Sequence, residues 1–322
     1  MTTYKNIKGI EIKYLSADPP APNAGQVWYN STSKVVKGAI NGVGAWASGG
    51  NVNTARAYIS TSNQGTQTAT LAFAGAEPAR STKTEKYNGT AWTEVNDLSV
   101  ARFLTAGAGT QDSALCISGE SSTGIVAICE AFDGTNWTET GDLNSVSGRQ
   151  GMGAAGASSS AVVAYGGSNT IALTEVFNGS SWTEVNNMNT ARATMGNAGI
   201  STAALTFGGA TTAGVALAES WNGTSWTEVA DLNTARTTLA GAGSQTTALA
   251  FAGGAATGTV AITESWNGSS WTEVADMATA RVNLGGAGTT GGAALGISGT
   301  PSIASTEEFT VSTFTTKTFD TD

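Results

Sequence analysis

The sequence predicts an all-β fold of six like sheets arranged in a ring, and three observations predict it. An arginine recurs at Arg56, Arg102, Arg149, Arg192, Arg236 and Arg281, and a glutamate at Glu85, Glu130, Glu175, Glu219, Glu264 and Glu307, so two independent anchors mark the same six copies. Tryptophan keeps the beat at Trp92, Trp137, Trp182, Trp226 and Trp271, each seven residues after its glutamate, with Phe314 in the sixth place. The composition, 42 glycines and only 12% charged residues among abundant Thr, Ser and Ala, is unlike that of a helical protein.

Within one copy, ATMGNAGISTAALTFGG from Ala193 reads as two strands of small and β-branched residues, and VALAESWNGTSWTEVADL from Val215 reads as two more. Asn222-Gly223, matched by Asn88-Gly89, Asp133-Gly134, Asn178-Gly179 and Asn267-Gly268, supplies the positive φ of a tight hairpin between the third and fourth strands. Glycines ending the second strand, such as Gly208-Gly209 and Gly253-Gly254, permit close backbone approach. A lone four-stranded sheet leaves a face uncovered, so the copies pack face to face, and radial closure leaves only short, protected edges. The expected architecture is a six-bladed β-propeller of four-stranded antiparallel blades. Aromatic outer strands fill the layers between blades, and Gly/Ala-rich first strands such as Ala240–Gly243 lie where the blades converge. A hydrophobic strand ending in Gly-Gly, then an aromatic followed five residues later by Trp, resembles the kelch repeat from about Arg56 to Phe319. That resemblance implies a propeller and, by itself, no function.

The first 34 residues stand outside this register. PPAPNAGQVWYNSTSKVVKGAI passes from a Pro-rich extended lead into a hairpin, giving an N-terminal adapter with a half-blade hairpin at 1–49 and the propeller at 50–322. GQVWYNSTSKVVKGAINGVGAW, residues 25–46, resembles N-terminal segments of bacteriophage virion proteins, especially tail and fibre components of marine phages. Trp46 precedes Arg56 by ten residues, as Trp92 precedes Arg102, so Val35–Ser48 is in phase as a half-blade. It belongs to the adapter or completes the last blade; the retained spacing of Glu307, Phe309 and Phe314 favours a last blade made from C-terminal sequence.

Histidine is absent, which removes the commonest general base and the commonest transition-metal ligand, and with it any Ser-His or Cys-His nucleophile. The copper-radical oxidases that share kelch blades rely on histidine ligands, so their activity is not carried over. No enzyme activity, cofactor or metal is expected. Of the 24 acids, eleven are repeat positions, the six glutamates above plus Glu94, Glu139, Glu184, Glu228 and Glu273, and an acid present in every blade serves every blade. The recurring glutamates and arginines are expected to form charge-assisted hydrogen bonds within or between blades. Gly286–Gly291 fits GxGxxG but falls on a strand hairpin with no following helix. The N-x-S/T triplets coincide mostly with hairpin turns. Cys116 and Cys129 replace Ala and Thr of other copies and read as small buried filler rather than a disulfide.

A net charge of −9 argues against nucleic acid as partner, and no run approaches the roughly 18 apolar residues of a membrane span. Without a secretory signal, the chain is expected to be soluble and assembled into a virion in a host cytoplasm. Uniqueness in a ring of copies comes from variable loops. The second-to-third strand connections differ most, and Glu77, Arg80, Glu120 and Asn169 are their candidate binding residues. The expected function is a phage virion structural component (tail, fibre or capsid decoration), present in many copies or as a homo-oligomer. Its adapter docks to other virion proteins, and its loops contact neighbouring subunits or a host cell-surface glycan or protein. The alternatives are a kelch-type protein-protein interaction scaffold and, third, a carbohydrate-active enzyme using a non-repeated acid pair such as Glu77 and Glu120.

Overall fold

A computed structural model describes residues 12–20, 26–42, 44–145, 148–168, 170–311 and 314–319. Among them the chain is all-β, with no helix. It divides into two compact units, Ala45–Thr310 and Met1–Gly44 with Val311–Asp322.

The larger unit is β-propeller-like, with six four-stranded sheets among the described residues. The second sheet shows the pattern: Ala106–Thr110, Ser113–Ile117, Cys129–Phe132 and Trp137–Thr140 pair antiparallel in chain order. The first sheet holds Ser60–Thr61, Thr70–Phe73, Thr84–Tyr87 and Trp92–Glu94. Sheets three to five begin at Gly153–Ser158, Gly196–Ile200 and Ala240–Gly243 and end at Trp182–Val185, Trp226–Val229 and Trp271–Val274. First strands neighbour one another in succession, and that of the sixth sheet, Gly285–Thr290, lies beside Ser60–Thr61 of the first, so the sheets go round in a circle. Crowding at the centre explains the small residues. A Cβ on Gly107 would meet the Thr61 carbonyl oxygen at 2.2 Å, and one on Gly241 or Gly286 would meet the preceding sheet's backbone at 2.4 Å. The third-to-fourth hairpin glycines, Gly89, Gly134, Gly179, Gly223 and Gly268, have φ between 91° and 97°, as the Asn-Gly and Asp-Gly pairs require.

Between sheets the aromatics interlock. Trp137 meets Phe132 of its own sheet and Phe73 of the preceding one, both at 5.0 Å, and its Nε1 donates to Thr84 Oγ1 at 3.0 Å. Trp226 repeats this with Trp221, Tyr165 and Thr174 Oγ1.

The sixth sheet departs from the expected closure. Its strands are Gly285–Thr290, Ala293–Ile297, Thr306–Val311 and, in fourth place, Gly44–Ser48 from the other end of the chain. Trp46 is the sixth tryptophan: its ring lies 5.0 Å from Phe251 and 5.3 Å from Phe309, and its Nε1 donates to Thr263 Oγ1 at 3.0 Å. Glu307 and Phe309 keep their repeat positions on the third strand, but Phe314 does not take the tryptophan's place. The reason lies in the turn. Five copies follow the third-strand aromatic with Asn-Gly or Asp-Gly, whereas Phe309 is followed by Thr-Val-Ser-Thr, which lacks a residue suited to the left-handed turn. Phe314–Phe319 instead pairs antiparallel with Val35–Asn41.

That pairing belongs to the smaller unit, where Lys13–Leu15, Val27–Asn30, Val35–Asn41 and Phe314–Phe319 form one mixed sheet. Val27–Asn30 and Val35–Asn41 make the expected hairpin, and Lys13–Leu15 joins it in parallel. Asp18 accepts from Lys37 Nζ at 2.7 Å, Asn30 Nδ2 at 2.7 Å and Trp28 Nε1 at 3.0 Å. Those three donors, Lys37 foremost, pull its carboxyl from the ordinary 3.8 down to about 2.

Candidate functional site

The repeated charges are structural. Every expected pair forms, with nitrogen to oxygen distances of 2.5–2.8 Å: Arg56–Glu85, Arg102–Glu130, Arg149–Glu175, Arg192–Glu219, Arg236–Glu264 and Arg281–Glu307. The arginines and glutamates are buried. Each arginine sits on the connection entering a sheet, and its glutamate sits on that sheet's third strand. Arg236 Nη1 also donates to the carbonyls of Ala252 and Ile262, while Glu264 accepts the backbone N–H of Asn233 at 2.6 Å. One pair thus fastens an incoming connection to the sheet it leads into. Burial lowers the guanidinium pKa of Arg149, Arg192, Arg236 and Arg281, and the glutamate beside each opposes the shift. Glu94, Glu139, Glu184, Glu228 and Glu273 face solvent. Among the described residues, no group of three or more His, Cys, Asp or Glu is placed to hold a metal ion.

The two cysteines illustrate the same economy of space. Both are free and buried, and their side chains join different core clusters on opposite faces of the second sheet. Burial pushes Cys116 up to about 11 and Cys129 to about 12, which leaves them as inert thiols.

Of the candidate loop residues, the structure brings Arg80 and Glu120 together. Arg80 ends a two-stranded hairpin, Ala76–Glu77 with Ala79–Arg80, and its guanidinium forms an ion pair with Glu120. Glu120 opens the matching hairpin of the next sheet, Glu120–Ser121 with Gly124–Ile125. The Arg80 guanidinium also lies 5.1 Å from the Phe103 ring centre, and Phe103 meets Tyr58 edge-on at 5.4 Å. Glu77 is described by its backbone alone, and Asn169 lies outside the described residues.

Tyr58 leads from this cluster to a feature that sequence reasoning missed. The second residue after each repeat arginine is left-handed: Tyr58, Leu104, Thr194, Thr238 and Asn283 have φ of 53–56°, and Gly151 has 61°. Around the axis their amides donate to one another's carbonyls, Tyr58 to Asn283, Asn283 to Thr238, Thr238 to Thr194, Thr194 to Gly151 and Gly151 to Leu104, at 2.6–3.1 Å. These bonds fix a conformation that costs a non-glycine residue about 1–3 kcal/mol. All six residues line an axial cavity of about 140 Å³, with Ser60, Thr61, Asn63, Thr105 and Asn197 deeper inside. Beyond them Asn63 and Gln64 reach across the axis. Asn63 bonds Gly109 and Gly288 as well as Gly199, and Gln64 Nε2 donates to the Gly199 carbonyl at 2.9 Å, so the loop closes one end.

A signal for this mouth was present in the sequence. The two residues after each repeat arginine, Ala57-Tyr58, Phe103-Leu104, Gln150-Gly151, Ala193-Thr194, Thr237-Thr238 and Val282-Asn283, change from copy to copy beside an invariant neighbour. The rim hairpins adjoin the same residues, since Phe103 bridges Glu120, Ala57 bridges Ala76 and Thr237 bridges Gly254. Non-repeated side chains therefore gather on one face. No protein-family model and no curated protein matches the chain.

Proposed function

We propose that the chain is a virion structural component of a bacteriophage, a six-bladed kelch-like β-propeller that presents one variable face, carried by an N-terminal adapter. The observation that carries this reading is the contrast between a uniform shell and a unique face. Six buried Arg–Glu pairs repeat around the ring, whereas Tyr58, Phe103, Arg80 and Glu120 form one connected cluster beside the mouth. An aromatic-arginine cluster of this kind is a good anchor for protein or glycan contact, because it offers large flat area with little side-chain entropy to lose. Weak contacts of this sort sum to firm attachment when many copies act on one particle.

The smaller unit supports a docking role through its exposed apolar side chains, Ile12, Tyr14 and Phe319, which a partner subunit of the particle would cover. It also contains residues 25–44 of the stretch that resembles virion N-terminal segments. A protein-protein interaction scaffold would use the same face without the particle. A glycosidase would need two free carboxyl groups flanking a cleft, and Glu120 is already engaged by Arg80. Gold-conjugated antibody against this chain, applied to purified particles from the producing host, is expected to label them at a regular position. Particles that carry no gold, with the chain recovered only from the soluble lysate, would contradict the placement.

A further inference from the structure

We propose that the axial cavity binds one small neutral polyhydroxylated molecule, a polyol or a single sugar ring. The site adjoins the Arg80–Glu120 rim cluster through Tyr58, which belongs to both, and does not depend on the chain being part of a virion.

Size comes first. A buried water needs only about 10–15 Å³, so the cavity of about 140 Å³ takes a ring-sized ligand. It does not pass a chain, because Asn63 and Gln64 bridge its far end.

Charge comes second. Among the described residues, the lining holds no Asp, Glu, Lys or Arg, and its titratable group is the Tyr58 phenol. An ion entering would lose its hydration with no counter-charge to replace it. Left-handed turns elsewhere make anion cradles from their amides. Here five of the six amides are spent on one another's carbonyls, as when Thr238 donates to Thr194 at 2.9 Å and Thr194 to Gly151 at 2.6 Å.

Hydrogen-bonding polarity comes third. The hydroxyls of Ser60, Thr61, Thr194 and Thr238 bond the backbone carbonyls of Thr105, Gly286, Ala193 and Thr237 at 2.6–2.8 Å, and those of Ser60 and Thr194 also pair with the hydroxyls of Thr105 and Thr237 at 2.6 Å. Thr61 and Thr238, which give their protons to wall carbonyls, keep lone pairs and present acceptors, while the Ser60–Thr105 and Thr194–Thr237 hydroxyl pairs and the Tyr58 hydroxyl both donate and accept, so the wall asks for an occupant whose groups do both. Met152, Met195 and Leu239 add apolar surface between these oxygens. A sugar ring or cyclic polyol meets both demands, with hydroxyls at its edge and C–H groups on its face.

The test uses the full chain with D-glucose, D-galactose and myo-inositol, read by saturation-transfer NMR and calorimetry, with D-glucuronate and D-glucosamine as charged counterparts. At least one neutral compound is expected to bind, and its charged relative to bind about tenfold more weakly or worse. The double variant Thr194→Gly, Thr238→Gly removes two wall hydroxyls at φ of 56° and 53°, where glycine is at ease, so the backbone conformation is kept. It is expected to lose about tenfold or more in affinity. The proposal is overturned if none of the three neutral compounds binds at saturating concentration, if glucuronate binds as well as glucose, or if the double variant keeps full affinity.

Discussion

A buried arginine held by one glutamate and two carbonyls is hard to replace, because its loss leaves a buried carboxylate without the guanidinium that balances it and two carbonyls without a donor. Arg236→Met keeps much of the volume but strands Glu264, and removing one member of such a pair costs about 3–5 kcal/mol. The expected outcome is a thermal or urea transition lowered by that amount, and an unchanged midpoint would dismiss the clamp. Thr238 acts in the opposite sense. Its left-handed φ of 53° strains a β-branched residue, so Thr238→Gly is expected to raise stability by about 1 kcal/mol in the same assay, after glycine's larger unfolded-state entropy is counted. The pairs were legible in the sequence because Arg and Glu recur on matched beats and a chain with so few charges has little other use for them. The left-handed ring was not, because Tyr, Leu, Thr, Thr and Asn carry no common preference for positive φ. It is imposed by hydrogen bonds between sheets, which exist only once the circle has formed.

At the scale of strands, the informative element is Gly44–Ser48. It completes the sixth sheet beside Thr306–Val311, with Gly49 donating to the Thr306 carbonyl and Val52 to that of Ala304, both at 2.9 Å. Trp46→Ala is expected to cost about 3 kcal/mol, as truncating a packed aromatic does; calorimetry showing no shift would mean that this strand closes nothing. Spacing alone pointed to Phe314, since a period counts residues and does not register that a turn is missing. The indole N–H of Trp46, which finds Thr263 Oγ1, is a bond that phenylalanine has no means to make. In the smaller unit, Asp18 ties Trp28, Asn30 and Lys37 together. With its pKa depressed from 3.8 to about 2, its contribution is present in full above pH 3.8 and is lost as pH falls through about 2. Trp28 fluorescence is therefore expected to hold steady down to about pH 4 and to change below it, with Asp18→Asn abolishing the acid step. An acid step that survives Asp18→Asn belongs to another group.

For the whole molecule, repetition and closure have separate origins. Like sheets arise because each needs a neighbour to cover its faces, and that much was legible from the glycines, the aromatics and the Asn-Gly turns. The circle is joined by two particular segments: the strand Gly44–Ser48, in phase with the repeat but taken from the other end of the chain, and the Asn63-Gln64 loop that bonds sheets two, four and six across the axis. Side-chain variety follows the same division, with the uniform shell holding the variable mouth in place. Hydrogen exchange resolved by residue tests this most directly. The amides of Gly49, Val52 and Gly288, whose bonds join the two ends of the ring and its axial plug, are expected to exchange as slowly as central-strand amides such as Leu205. Fast exchange at those three positions while Leu205 stays protected would show an open stack of sheets and contradict the closed ring.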